Sequence, residues 1–378
     1  MWGGHSSPTT ASSAEFLVLL VGLVDMGERN EQFYFLDVLR GLAAWLVVWD
    51  HLFAVWPEQN GFTLPFVRLV REYINQPMGI VQDFGWLGVA VFFLISGFVI
   101  THVSLRETPD EFIIRRIFRI FPMLAVSVAL SLLLNESFRS QLTLPHLITN
   151  IFLVNYWIHP QIIFVGVAWT LAIEIVFYAL ILLGMPLRAQ PLLKVSFSLL
   201  AVGLTTYFAR SLGANFFLFA ATTAYVPFLP VGQIFYFMLY NRSISVIGSL
   251  LLLLVAYSEL LFGIRSIHTE FLPIDNSYLV SFLVAIAIFL TAYGINSRLT
   301  PNRFIKLLSD TSYSLYLFHG LVGFFVLDQL TPRIGFPLAL LLAVALVSAF
   351  VLVVNRTIEK PILEFGRRLS VRGRVRPV

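Results

Sequence analysis

Residues 84–105 read FGWLGVAVFFLISGFVITHVSL, a stretch without one Asp, Glu, Lys or Arg. As an α-helix rising 1.5 Å per residue it measures about 33 Å, enough to cross about 30 Å of hydrocarbon with every backbone hydrogen bond satisfied internally. Working outward, comparable apolar runs recur at 35–56, 121–138, 165–187, 192–210, 216–240, 244–264, 277–295, 312–330 and 336–357. The fold class this predicts is all-α: a polytopic membrane helical bundle with about ten transmembrane helices. A further run, 144–158, is short and holds His146, Asn150 and Asn155, so it is expected to be re-entrant or interfacial.

Composition agrees. Of 378 residues 58% are hydrophobic and 12% charged, about half the charged share of a soluble domain, and 36 are Phe. Mean hydropathy is +0.84. The lipid bilayer is the expected solvent. The net charge of +4 does not point to nucleic acid, because in a membrane protein the placement of Lys and Arg matters more than their sum. Cysteine is absent, which removes disulfides and thiolate metal sites. No metal site is expected.

Residues 1–30 read as an N-terminal tail. The run Phe16–Val24 is too short to span and has no Lys or Arg before it, so it makes a poor signal peptide, and Met26 is an alternative start. Residues 31–368 form the membrane domain and 369–378 a basic cytoplasmic tail. With the N-terminus in the cytoplasm, ten spans return the C-terminus there. Six basic residues then fall outside (Arg68, Arg71, Arg139, Arg210, Arg265 and Arg333) and nineteen of the 25 inside, a strong positive-inside asymmetry. The expected location is a bacterial inner membrane, multi-pass, with both termini cytoplasmic.

Charges inside spans cost about 2.5–3.5 kcal/mol each on insertion scales and usually face a cavity or a partner. The first span, Phe35-Leu-Asp-Val-Leu-Arg-Gly-Leu-Ala-Ala-Trp-Leu-Val-Val-Trp-Asp-His51, carries Asp37, Arg40 and His51 on one stripe. Arg40 and His51 are about 16 Å apart along an α-helix. The alternatives are a local Asp37–Arg40 ion pair and a hydrogen-bonded structural histidine. Asp50 points about a quarter-turn away from His51, which suggests a structural or water-facing role. Glu174 is the one acid between Val165 and Met185 and needs a cationic partner, a proton-transfer role, or both. Arg115, Arg116 and Arg119 lie on a basic segment. Arg116 and Arg119 share a face with fork geometry suited to phosphate, or the segment binds anionic headgroups and sets topology. Tyr313, Tyr316 and His319 repeat at i,i+3, where interfacial tyrosine is ordinary. No GxSxG, HExxH, Walker loop or dinucleotide fingerprint occurs.

Six blocks in order carry a resemblance. They are Leu36-Asp-Val-Leu-Arg-Gly-Leu-Ala-Ala…His51, Gly88-Val-Ala-Val-Phe-Phe-Leu-Ile-Ser-Gly-Phe98, Arg115-Arg-Ile-Phe-Arg-Ile-Phe-Pro122, Trp169-Thr-Leu-Ala-Ile-Glu174…Phe177-Tyr178, Ser312-Tyr-Ser-Leu-Tyr-Leu-Phe-His319 and Ile358-Glu-Lys-Pro361. Together, over about residues 33–368, they resemble the acyltransferase-3 family of integral membrane acyltransferases.

The resemblance implies ten core spans and transfer of an acyl group, most often acetyl, to a carbohydrate or other envelope or secreted acceptor. The donor it implies is acyl-coenzyme A, with no permanently bound cofactor. It aligns Arg40 and His51 with the family's Arg-x10-His pair, Arg116 and Arg119 with its Arg-x-x-Arg pair, and Glu174 with its acid. Asp50, Ile175 and Val176 depart from the usual residues.

The expected roles follow. His51 acts as general base, or as a nucleophile through an acyl-histidine, and Glu174 orients or charge-balances it. Arg40 and Asp37 line the donor tunnel, and Arg116 and Arg119, with Arg115 beside them, hold coenzyme phosphates. Tyr316, His319, Ser96 and Trp169 are secondary candidates. The rival reading is a proton-coupled transporter or flippase, which intramembrane Asp37, Arg40, His51 and Glu174 would also suit.

Overall fold

A computed structural model describes residues 33–80, 82–158, 161–267 and 277–372. The N-terminal 1–30 segment and residues 373–378 of the expected basic tail lie outside them. Among the described residues there is no β-strand. Eight helices are long and apolar enough to cross a membrane, and two shorter apolar helices join them.

In chain order, α1 runs Tyr34–Val48 and continues through a π turn, Trp49–Val55, to Gln59. An outlying helix, α2, starts at Pro65–Val70 and reaches Met78 through a second π turn. Then come α3 (Gly85–Ser104), α4 (Pro109–Leu134), a short α5 (Leu144–Ile151), α6 (Trp169–Leu183) and α7 (Pro191–Tyr207). The bundle is completed by α8 (Ala214–Tyr240, interrupted at 224–227), α9 (Val246–Ile267), α10 (Ser277–Gly294), α11 (Arg303–Ile334) and α12 (Phe336–Val354). The last continues through a π turn, Asn355–Glu359, to Arg372.

The ten expected spans therefore have counterparts, with three changes of extent. The basic segment before residue 121 is the first half of α4. Thr108 caps that helix in a capping box with Glu111 and Pro109 follows, so the helix starts cleanly there. Pro122 withholds one hydrogen bond inside it without ending it. Likewise α11 begins at Arg303, and α12 runs on beyond 357 as an amphipathic helix. The 144–158 segment is α5 plus a 3₁₀ turn, too short to cross.

The centre of the bundle is α3, about three quarters of it buried, with α1, α8 and α10 against it. Gly97 is why α3 and α8 come so close: a Cβ there would sit 1.9 Å from the Leu229 carbonyl oxygen. Reciprocally, a Cβ on Gly232 would meet the Leu94 carbonyl oxygen at 2.2 Å. Small residues at a helix crossing permit this approach. Aromatic rings fill the rest, with Phe35 meeting Phe98, Phe289 and Tyr293 edge to face.

Candidate functional site

Two cavities open into the bundle from opposite ends. The first, of about 280 Å³, is lined by Arg40 of α1, Ser96 of α3, Arg116 and Arg119 of α4, Glu174 of α6 and Tyr313 of α11, among others. The second, of about 620 Å³, is lined by Asp50 and His51 of α1, Trp86 of α3, and Trp169, Tyr225 and Tyr278. Val89 and Tyr316 line both and form the wall between them.

His51 sits in the π turn of α1. Such turns insert a residue into the helical register and so re-aim side chains, and here both Asp50 and His51 face the second cavity. The imidazole Nδ1 is 3.0 Å from the Val47 carbonyl oxygen. A carbonyl can only accept, so in the neutral ring Nδ1 carries the proton and Nε2 keeps its lone pair. Asp50 Oδ2 lies 3.7 Å from Nδ1. The His319 ring approaches edge-on with centroids 4.8 Å apart. His319 is fully buried, its Nδ1 is held by the Leu315 and Tyr316 carbonyls, and its Nε2 has no partner.

Glu174 belongs to the first cavity. Ser96 Oγ donates to it at 2.6 Å and Tyr178 OH at 2.9 Å. The expected direct pairing of Glu174 with His51 is therefore not formed: the two groups line neighbouring chambers on either side of Tyr316. The immediate polar neighbours of His51 are Val47, Asp50 and His319. Tyr316 itself is pinned, with its hydroxyl 3.0 Å from Val167 O and 2.9 Å from Thr170 Oγ1.

Three guanidinium groups converge on the first cavity. Arg40 makes no ion pair within 4 Å among the described residues, so its charge faces the cavity. Arg119 is held by Glu359 at 3.0 Å and stands over the Tyr313 ring at 4.3 Å. Arg116 has one long ion pair among the described residues, to Glu107 at 4.0 Å, stands over the Phe112 and Tyr178 rings at 5.4 and 5.8 Å, and its buried Nε has no hydrogen-bond partner. Against these three cations the lining supplies one carboxylate, Glu174.

The other expected members lie elsewhere. Asp37 does not pair with Arg40. It accepts from Ser309 Oγ at 2.5 Å and faces Lys306 at 3.6 Å, so it ties α1 to α11 instead of lining the cavity. Arg115 points away, to Glu107 at 2.7 Å and Ser370 Oγ at 3.1 Å. Trp169 stacks on Trp86 with centroids 6.2 Å apart and lines the second cavity.

The sequence reading missed several contributors. Glu359, 2% exposed, anchors Arg119 and also accepts from Ser314 and Asn355. Its signal was its place in the Ile358-Glu-Lys-Pro361 block. At the outer end of the second cavity, Arg71 of α2 donates from Nε to both Asp83 oxygens at 2.7 Å and from Nη2 to Glu58 at 2.9 Å. The hydrogen bonds to Asp83 hold the Arg71 guanidinium above its ordinary value, so it stays charged at any working pH. Asp83 and Phe84 take positive φ, 44° and 75°, where the clamp meets the start of α3. No short-range pattern links residues 58, 71 and 83.

Among known proteins, the acyltransferase-3 family, described as an acyltransferase domain, matches residues 33–356. "Nodulation protein 10" of Rhizobium leguminosarum bv. viciae is 29% identical over 270 residues, covering 62% of this chain and 71% of that protein. A Staphylococcus aureus (strain COL) protein named "Putative O-acetyltransferase" is 28% identical over 284 residues, 64% of this chain. The chain spans less than half of that relative's length, 46%. A second S. aureus protein of the same description, from strain N315, gives the same figures. No solved structure matches the chain. The chain belongs to the acyltransferase-3 family and is a multi-pass membrane acyltransferase.

Proposed function

We propose that the protein takes an acyl group, acetyl in the first instance, from acyl-coenzyme A and places it on a hydroxyl of a carbohydrate or other envelope or secreted acceptor. In this reading the basic end of the bundle, with Arg106, Arg115, Arg298 and Lys306, faces the cytoplasm of a bacterial inner membrane, as do both termini. The observation that carries the reading is the pair of chambers meeting at Tyr316 and Val89, cationic on one side and holding an imidazole on the other. The names of the staphylococcal relatives favour acetyl as the group moved.

Arg40, Arg116 and Arg119 bind the phosphates of the donor, whose thioester arm extends along α1 towards Tyr316. Glu174, fixed by Ser96 and Tyr178, positions the arm by accepting its amide hydrogens. The acceptor hydroxyl approaches His51 from the second chamber. His51 Nε2 removes its proton, the oxygen attacks the thioester carbonyl, and the C–S bond breaks. The departing thiolate recovers the proton from the imidazolium. Asp50, 3.7 Å from Nδ1, offsets the transient charge.

The test compares envelope glycans and secreted metabolites by mass spectrometry in cells with the gene intact, deleted, or restored with His51→Ala. Loss of one acyl mass from a defined acceptor on deletion, unrestored by the variant, supports the reading. Identical acylation in all three overturns it.

A further inference from the structure

The two chambers differ in sign. Beside the three arginines of the first, the second presents three carboxylates, Asp50, Glu58 and Asp83, against one guanidinium, Arg71. That guanidinium is already engaged, with Asp83 at 2.6 Å and Glu58 at 2.9 Å, so it is not free to receive an anion. Besides His51 and Tyr316, the polar lining is a cluster of aromatic rings: Trp86, Trp169, Tyr225 and Tyr278. Trp86 and Trp169 lie nearly parallel, 6° apart, and Tyr225 meets both of them within 5.6 Å. At about 620 Å³ the space falls within the 300–1,000 Å³ range of small-ligand sites.

We propose that this chamber is an acceptor subsite for an uncharged or amino-bearing glycosyl unit, and that it rejects acidic sugars. The inference rests on the acyl-transfer reading and deepens it. Indole and phenol faces are electron-rich, so they attract the polarised C–H face of a sugar ring. Carboxylates only accept hydrogen bonds, which suits hydroxyl or ammonium donors. Among the described lining residues, a uronate or phosphate entering the chamber meets carboxylates and no Lys or Arg outside the Arg71 clamp, and is disfavoured electrostatically. Charge thus sorts the substrates: the polyanionic donor is drawn to one chamber and excluded from the other.

The experiment measures binding directly, by isothermal titration of the full chain in zwitterionic lipid nanodiscs with two probes. One is a neutral glucose trisaccharide, the other the same trisaccharide ending in glucuronate. The expected result is binding of the neutral probe with at least about tenfold preference over the acidic one, which corresponds to about 1.4 kcal/mol. Trp169→Ala should weaken the neutral probe about tenfold. Asp83→Asn, which tolerates the positive φ, should narrow the preference severalfold. Equal or tighter binding of the glucuronate form, no binding of either probe, or full affinity in Trp169→Ala overturns the subsite. Release of coenzyme A, followed with a thiol reagent in the same preparation, reports separately on acyl transfer, so failure of one reading is distinguishable from failure of the other.

Discussion

Arg119 Nη1 lies 3.0 Å from Glu359 Oε1, joining α4 to the π turn of α12 across 240 residues of chain. Glu359 is almost wholly buried, and its second oxygen receives Ser314 Oγ and Asn355 Nδ2. One arm of the guanidinium is therefore fixed while its plane rests on Tyr313 and the remaining donors face the first cavity. An arginine held in this way loses little freedom when it meets an anion, because its geometry is set before binding.

Glu359→Gln should keep the shape of this anchor and remove its charge. The expected outcome is a severalfold rise in KM for acyl-coenzyme A with kcat much less affected, the pattern of lost ground-state binding. Truncating Arg119 to Ala should destabilise the bundle as well, since it leaves Glu359 buried without its cation, a loss of about 3 kcal/mol for such pairs. Thermal unfolding in detergent and donor titrations measure the two effects separately. An unchanged KM in Glu359→Gln would show that the anchor serves the fold alone.

His51→Ala should reduce coenzyme A release by about 10²–10⁴-fold, the usual contribution of a general base, with wild-type expression and melting behaviour. His51 makes one hydrogen bond, to the Val47 carbonyl of its own helix, so its loss leaves no partner from another helix unsatisfied. Asp50→Asn should cost less, because Asp50 is 3.7 Å from Nδ1 and acts only through charge. Retention of full activity by His51→Ala would remove the imidazole from the mechanism.

Much of this site was legible in the sequence because it is written in helical periodicity. Arg116 and Arg119 are one turn apart on a helix, so their shared face followed from spacing alone, and both do line one cavity. Apolar run length gave the spans in the same way. Spacing put Arg40 and His51 on one stripe about 16 Å apart along the helix. The structure sets them in different chambers, which share Val89 and Tyr316 as lining, and no local pattern marks where one chamber ends and the other begins. Asp37 followed the stripe but was captured by Ser309 and Lys306 of α11. The clamp of Glu58, Arg71 and Asp83, and the Glu359 anchor, depend on which helices become neighbours, and local pattern carries no record of that.

Ser96→Ala and Tyr178→Phe each remove one hydrogen bond from Glu174. Bonds to a charged group contribute about 1.5–3 kcal/mol, so each single variant should lose about tenfold or more in kcat/KM for the donor. The double variant should approach Glu174→Ala, since little would then position the carboxylate. Steady-state kinetics of the wild type and these four variants make the comparison. Equal activity of wild type and double variant would show that Glu174 needs no such support.

Arg40→Ala should raise KM for acyl-coenzyme A at least tenfold and leave the acceptor KM close to wild type, because Arg40 and the acceptor belong to opposite chambers. Arg40→Lys should rescue only partly, since an ammonium lacks the planar fork that meets phosphate with two bonds. The wild-type donor KM should also rise with ionic strength, and less steeply in Arg40→Ala. An acceptor KM that rises in parallel with the donor KM would contradict the separation of the chambers.

Gly97→Ala tests whether the crossing of α3 and α8 sets the site. The added carbon would lie 1.9 Å from Leu229 O and 2.8 Å from Leu229 C, both backbone atoms, so no side-chain rotation can relieve the overlap. The helices must separate, and overpacking of this kind costs about 1–3 kcal/mol. Ser96 precedes Gly97 on α3, so the same movement draws its hydroxyl from Glu174. Stability and donor kcat/KM should therefore fall together. Gly166→Ala provides the contrast: nothing lies within 4 Å of its added Cβ, so its melting temperature should stay near wild type. If Gly97→Ala melts and turns over like wild type, the close approach of α3 and α8 is not what holds Ser96 against Glu174.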